Sequence, residues 1–477
     1  MKKHLLYGAA VFAALFFLFS CAKEPSRKRP NILVLHADQW RAQAFGYAGD
    51  KNVKTPHIDS FAATCADFQY AVSGLPVCTP YRASFMTGQR PLTNGVFMND
   101  VRLDTNAVTI AEVLARNGYQ TGYIGKWHLD GQARLSYTPP GGRRQGFQYW
   151  KAVNCTHDYN HSMYYEGDDP APHYWPGYDA IAETEDAVQY IKGHSGDEQP
   201  FFLMLAWGTP HAPYQTAPAR YRALYDSSAF ELRPNVPDSM EKQVRHDLAG
   251  YYAHMSVLDD MVGQLLNTLK EEHILDNTIV LFVSDHGDLL GSHGYYKKQR
   301  PYDESIRVPF LLHYSGGADS IRSGTYDAMI NAEDVMPTLL GLCGVAVPGS
   351  VEGKDFSGYL HGGKSPKDSV AVITCIQPFG QWTRAEGGKE CRGIRTPRYT
   401  YVRDLQGPWL LFDNLSDPYQ MNNLTGNPQY AALQKRLDGI LSEKLRVEHD
   451  AFLPGLEYVR KFNYPPLDSS ETVPYHP

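Results

Sequence analysis

The sequence predicts an α/β fold built on a mostly parallel sheet flanked by helices, with a smaller α+β subdomain at its C-terminal end, and three observations predict it. Four apolar runs of strand length are continuous rather than alternating, as befits strands buried on both faces. Segments of helical periodicity separate them. Each run ends in Asp, Lys or His, and parallel sheets bind their ligands beyond the carboxyl ends of their strands.

Taken in order, Lys2 and Lys3 precede an apolar run from Leu5 to Phe19 that is short for a membrane span, followed by Ser20-Cys21. Residues 1–20 read as an export signal. Leu18-Phe19-Ser20-Cys21 resembles a bacterial lipobox, in which the Cys is lipidated, so Cys21 is the expected anchor and residues 21–29 a polar, basic tether. The chain is expected to be an exported periplasmic or cell-surface lipoprotein that meets the membrane only through that anchor. Ile32–Leu35 is the first strand and leads to Asp38. Ile58, Phe61, Ala62 and Cys65 share one helical face. Thr109 to Glu112 is a capping box opening a helix that stops near Asn117-Gly118. Thr121–Ile124 leads to Lys126 and His128, Phe201–Ala206 to His211, and Ile279–Val283 to Asp285 and His286. Met255, Leu258, Val262, Leu265 and Leu269 form one stripe on a helix over 248–270. Residues 30–365 form the main domain. Beyond them, in 366–477, Val370–Cys375, Arg398–Arg403 and Trp409–Phe412 read as short strands and 427–446 as a terminal helix.

The 477 residues allow two or three domains and a core that needs no staples. A net charge of −7 and a pI near 6.2 argue against a nucleic-acid partner, whose capture rests on clustered cations. No CxxC spacing occurs, so a zinc cluster is not expected. Cys65 and Cys343 read as buried apolar residues, and pairing of Cys375 with Cys391 stays open.

The most specific signal is LPVCTPYRASFMTGQRP: Cys78, Pro80 and Arg82 form C-x-P-x-R, followed by Thr87-Gly88. This stretch closely resembles the signature of type I sulfatases, and the likeness extends over roughly residues 29–425. It implies an alkaline-phosphatase-like fold and conversion of Cys78 to formylglycine by a maturation enzyme. The hydrated aldehyde is a gem-diol: one hydroxyl attacks sulfur and the other later expels sulfate by C–O cleavage, which a serine does not offer. Pro80 suggests that residue 78 opens a helix, whose N–H groups favour an anion. Arg82, one turn on, matches the residue that contacts the formylglycine. Asp38, Gln39, Asp285 and His286, with Cys78, match the metal ligands, and such oxygen-rich ligation implies Ca²⁺, with Mg²⁺ open. Gln39 departs from the family, where many members carry a second Asp. Lys126 and His128 match the Lys-x-His pair, His128 being the base. His211 matches the acid that protonates the leaving alcohol. Lys298 matches the sulfate-neutralising lysine, chosen over Lys297 by counting from Gly294 to Tyr302, and His293 is left structural.

For substrate contacts the candidates are Asp100 and Arg102, the insert 154–175 with His157, His161, Tyr164, Tyr165 and Trp175, and the stretch 377–389. A polar, aromatic wall and a surface anchor favour a sulfated saccharide over a lipid or choline ester. The competing readings are a phosphonate monoester or phosphodiester hydrolase of the same superfamily and a decayed glycan-binding lipoprotein.

Overall fold

Ten strands make one sheet in the computed structural model, which describes residues 29–366 and 369–476. The segment read as an export signal, and Cys21, lie outside the described residues. The strands are β1 (Asn31–Asp38), β2 (Ala66–Val72), β3 (Gln120–Lys126), β4 (Tyr149–Val153), β5 (Met163–Glu166), β6 (His173–Tyr174), β7 (Phe201–Pro210), β8 (Thr278–Ser284), β9 (Phe310–His313) and β10 (Gly324–Asn331). Their order is β10-β2-β9-β8-β1-β7-β3-β4-β5-β6. The five central strands from β8 to β4 run parallel, while β9 opposes both its neighbours. The four apolar runs are β8, β1, β7 and β3, side by side, so their carboxyl ends open onto one edge of the sheet.

Period-2 geometry divides each run between two cores. Ile32, Val34, Phe202, Met204, Ile279 and Leu281 face one; Leu33, Leu35, Leu203, Leu205, Val280 and Phe282 face the other. Each such side chain, fully buried, contributes roughly 1.5–3 kcal/mol; a polar exception is His36 of β1, buried against Tyr81 and Phe85. The principal helices are α1 (Pro56–Ala62), α2 (Cys78–Thr87), α3 (Ile110–Arg116), α4 (Asp179–His194), α5 (Glu241–Glu271), α6 (Val335–Leu342), α7 (Ala431–Val447) and α8 (Gly455–Lys461). The helices α2, α3 and α6 cover the first face; α1, α4 and α5 cover the second. All five apolar residues of the predicted α5 stripe are buried, and the helix begins seven residues earlier, at Glu241. The capping box forms: Thr109 N donates to Glu112 Oε2, and Glu112 N to Thr109 Oγ1, both at 3.4 Å. The helix α1 is shorter than its periodicity implied, ending at Ala62, and Cys65 is buried just before β2 instead.

Beyond residue 370 a second sheet forms from β11 (Ala371–Cys375), β12 (Cys391–Arg395), β13 (Tyr399–Asp404) and β14 (Gly407–Asp413), all antiparallel. The expected C-terminal helix is α7, which packs Leu437, Leu441 and Leu445 on Ile394, Tyr401 and Leu411. It is not terminal, since α8 follows. The sequence reading passed over β12 because Arg392 and Arg395 interrupt it. Both guanidiniums are buried and paired, Arg395 holding Asp303 of the first body through two bonds of 2.9 Å. Cys375 and Cys391 oppose one another across β11 and β12 as buried free thiols. Among the described residues no helix is long and apolar enough to cross a membrane.

Candidate active site

Asp38 ends β1, Lys126 ends β3 on the far side of β7, and Asp285 and His286 follow β8, so three of four neighbouring strands deliver charged groups to one point. Cys78 meets them as the first residue of α2, whose ten residues are all buried. Its Sγ lies 3.2 Å from His286 Nε2, 3.4 Å from Lys298 Nζ, 3.8 Å from Asp38 Oδ1 and 4.0 Å from Lys126 Nζ. Arg82, one turn along, donates to Asp285 Oδ2 from Nε (3.3 Å) and Nη2 (3.2 Å), to Asp38 Oδ2 (3.2 Å) and to the Lys126 carbonyl (2.8 Å). It does not touch Cys78 by a hydrogen bond; it holds the two carboxylates together.

The helix N-terminus offers less to an anion than expected. Thr79 N–H already donates to Asn99 Oδ1 at 3.1 Å, and Pro80 has no N–H. Side-chain cations supply the positive field instead. Burial and Asp38 push the Cys78 thiol up, but Lys126, Lys298 and His286 outweigh them and hold it well below the usual thiol range. Burial opposes ionisation of Asp38, and Lys126 at 2.6 Å, with His211, His286 and Arg82, overcomes it. Asp285 is pushed up to about 6 by burial and by the Asp38 charge.

Asp38, Cys78, Asp285 and His286 bring ligand atoms within 4.8 Å of one another, all buried. His286 Nδ1 donates to the Gly287 carbonyl at 2.9 Å, leaving Nε2 as a lone pair aimed at the cluster. Two buried carboxylates and an imidazole so oriented suit a divalent cation. Gln39 turns otherwise: its Oε1 accepts from Lys298 Nζ at 3.1 Å, and its Nε2 donates to Asp288 at 2.6 Å. Asp288, which no motif reading singled out, is also bonded by Tyr214 at 2.5 Å.

An open cleft of about 940 Å³ rises from Cys78. His128, Lys126, His211, His157, Asp100 and Lys298 line it. The imidazole of His128 lies 3.5 Å from Asp100 Oδ1. Burial disfavours its protonation, yet the Cys155, Asp100 and Cys78 side chains prevail and raise it to about 9. Asp100 is itself held down to about 2: burial opposes this, and the bonds from Arg134 and His128 outweigh it. His211 Nδ1 donates to the Ala212 carbonyl at 2.8 Å, which leaves Nε2 for the cleft. Burial, Lys298 and His157 lower its pKa well below the usual value. His157 stacks on it at 4.5 Å. The Tyr159 hydroxyl sits 2.9–3.2 Å from the carbonyls of Gly208, His211 and Ala212 and pins that loop. Gln39 and His128, which follow β1 and β3, and Asp100, in the loop beyond α2, all carry left-handed backbone (φ 71°, 54° and 62°), strain stored at the site.

Other expected contacts stand apart. Arg102 is half exposed and pairs with Asp130 beside a neighbouring hollow. His161 is exposed and stacks on Tyr174 at 4.3 Å. Tyr164 stacks on Trp175. From the stretch 377–389 only Phe379, Gly380 and Gln381 reach the cleft. They are set there by Gln299, whose amide bonds both the N–H and the carbonyl of Phe379. Lys297 lies exposed at the mouth, and His293 stacks on Tyr302 at 4.0 Å. Sequence reasoning missed Arg134 and the tail residues Ser470, Thr472 and Tyr475, which complete the wall; they belong to irregular segments with no periodicity or motif.

The family model described as Sulfatase matches residues 30–345, and one described as N-sulphoglucosamine sulphohydrolase, C-terminal, matches residues 291–447. An ulvan-active sulfatase of Formosa agariphila is 42% identical over 472 residues, covering 96% of this chain and 91% of its own. An endo-4-O-sulfatase of Bacteroides thetaiotaomicron is 31% identical, covering 83% of this chain and 88% of its own. Among solved structures, a Bacteroides fragilis protein described as a sulfatase superposes with a TM-score of 0.82 at 32% identity, covering 91% of this chain and 98% of its own.

Proposed function

Because the chain belongs to the sulfatase family and is a sulfuric ester hydrolase, we propose that it removes sulfate from sulfated saccharides by way of an aldehyde made from Cys78 and a bound divalent metal. The observation that carries this reading is the ring of Lys298, His286, Asp38 and Lys126 around Cys78 Sγ, all within 4.0 Å. The hydrated aldehyde supplies an oxygen nucleophile where the thiol now stands. A hard cation supplies Lewis acidity, with Asp38, Asp285, His286 and the residue at 78 to hold it. Ca²⁺ suits carboxylate-rich ligation better than Mg²⁺, which demands near-ideal octahedral geometry.

Around that centre the side chains have distinct work. Lys126 and Lys298 meet the sulfate oxygens and the charge that develops on the bridging oxygen. His211, its Nε2 facing the cleft, gives a proton to the leaving alcohol; the arriving sulfate supplies the negative charge that lets this buried imidazole carry it. His128, oriented by Asp100, hydrogen-bonds the nucleophilic group and, once it has given up its own proton to solvent, takes that group's proton as the neutral imidazole on release of sulfate. A decayed site would need one of these groups missing, and all are present.

The saccharide assignment draws on the polar cleft and on the ulvan-active relative. The same reading makes the protein an exported lipoprotein anchored at Cys21, matured by a formylglycine-generating enzyme. A panel of defined sulfated saccharides, with ulvan-derived ones first, tests it beside phosphate and phosphonate esters. Sulfate release from a saccharide in preference to phosphorus esters supports the reading; turnover of phosphorus esters alone contradicts it.

A further inference from the structure

Two of the cleft's four Lys and Arg side chains are engaged at its floor: Lys126 with Asp38, and Lys298 with Gln39. The other two, Arg134 and Lys297, line the same cleft without a hydrogen bond to Cys78, unlike Lys126 and Lys298. Arg134 is held on three sides. Its Nε and Nη2 donate to the two oxygens of Asp100 at 2.8 and 2.6 Å. Its guanidinium lies over the Tyr475 ring, 3.6 Å from the centroid, and its backbone N–H bonds the tail at His476. A guanidinium has five N–H donors. With the Nε edge spent on Asp100, the edge formed by Nη1 and the second Nη2 hydrogen still presents parallel donors. Nη1 has no hydrogen-bond partner among the described residues, and the side chain is 20% exposed. Lys297 is likewise exposed without an ion pair among the described residues. Its backbone is fixed at φ 62°, with its N–H on Asp288 at 2.9 Å.

We propose that Arg134 and Lys297 form a subsite for a second acidic group of the substrate, the carboxylate of a neighbouring uronic acid or a further sulfate. The inference rests on the sulfated-saccharide reading above and deepens it: the enzyme selects an acidic saccharide rather than a sulfated sugar alone. A planar fork, already immobilised by Asp100 and Tyr475, takes a carboxylate or sulfate in bidentate fashion without further ordering. Tyr475, which lines the same cleft and is 42% exposed, offers the adjoining sugar ring an aromatic contact beside the guanidinium.

The test uses the mature full chain and three disaccharides alike in the sulfated sugar that it desulfates best. Their second ring is a uronic acid, the carboxyl-reduced hexose, or that hexose carrying a sulfate. The readout is kcat/KM for release of sulfate from the shared sugar, expressed as a ratio to the neutral disaccharide. The wild type is expected to favour one acidic partner by about tenfold or more, as a charge-assisted pair supplies, and which one identifies the ligand. Arg134→Lys and Lys297→Ala should each pull that ratio severalfold toward one. Because Arg134 also supports Asp100, its variant slows every substrate; the ratio rather than the rate is diagnostic, and Lys297→Ala lies outside the Asp100 network. A wild-type ratio near one, or a ratio unmoved in both variants, overturns the subsite while leaving the sulfatase reading intact. Failure to release sulfate from any saccharide overturns both.

Discussion

Gln39 Oε1 accepts a hydrogen bond from Lys298 Nζ at 3.1 Å while Nε2 of the same amide donates to Asp288 at 2.6 Å. Only one orientation of the amide satisfies an ammonium on one side and a carboxylate on the other. A glutamate at position 39, isosteric with this amide, would set a carboxylate oxygen against Asp288 where Nε2 now donates. Gln39 thereby aims Lys298 at the sulfate position.

Gln39→Ala is expected to lower kcat/KM on a sulfated saccharide by on the order of 10- to 100-fold, the worth of a hydrogen bond to a charged group. If the loss runs through Lys298, the double variant Gln39→Ala/Lys298→Ala should lose little more than Lys298→Ala alone. Additive losses would mean that Gln39 acts elsewhere.

His211 presents Nε2 to the cleft and is expected to matter according to the leaving group. General acids contribute on the order of 10²–10⁴ in rate. His211→Ala should therefore lose about that much on a sugar sulfate and far less on 4-nitrophenyl sulfate, whose phenolate leaves without help. Equal losses on both would make it a sulfate-binding residue.

Chelation should inactivate the enzyme, and Ca²⁺ should restore it best. Asp285→Ala removes one of two buried carboxylates and leaves Arg82 with Asp38 and the Lys126 carbonyl. Both bound metal, measured by elemental mass spectrometry, and activity should fall together. Full activity in metal-free protein would rule out the assignment.

Buried Asp179 and Glu183 lie one turn apart on α4, and both are acids held neutral. Burial, with the nearby Asp158, pushes Asp179 up to about 8; burial, with Asp179 and Asp186, raises Glu183 well above the usual range. A carboxyl raised in the folded state stabilises the fold fully below its ordinary value of 3.8, and this contribution is lost as pH rises through about 8. The wild-type Tm should thus fall from about pH 4 to about pH 8 and level off above it, and Asp179→Asn, which keeps the acceptor for Ala180 N–H, should lessen that fall. An identical pH slope in both proteins would contradict this.

The central sheet was legible because β1, β3, β7 and β8 are buried on both faces and so unbroken by polar residues. Their terminal charges were legible because polar residues cluster where each apolar run closes at the carboxyl edge, although His36, the first of them in β1, turns into the core. What stayed hidden depends on pairing across long separations. Strand β12 hides behind two arginines whose partners, Asp303 and Asp450, lie far off in the chain. Arg134 and Tyr475 are joined only by the fold. Asp288 follows the metal-ligand motif by two residues, yet its role appears only once Gln39 and Tyr214 are seen to meet it.

The central claim is that Cys78 becomes an aldehyde, and the most direct measurement is the mass of the peptide spanning residue 78, taken from the active native protein. A loss of about 18 Da, as oxidation of a thiol to formylglycine requires, is the expected result, with activity rising in proportion to the modified fraction and absent in Cys78→Ala. A wholly unmodified thiol in fully active protein would contradict it.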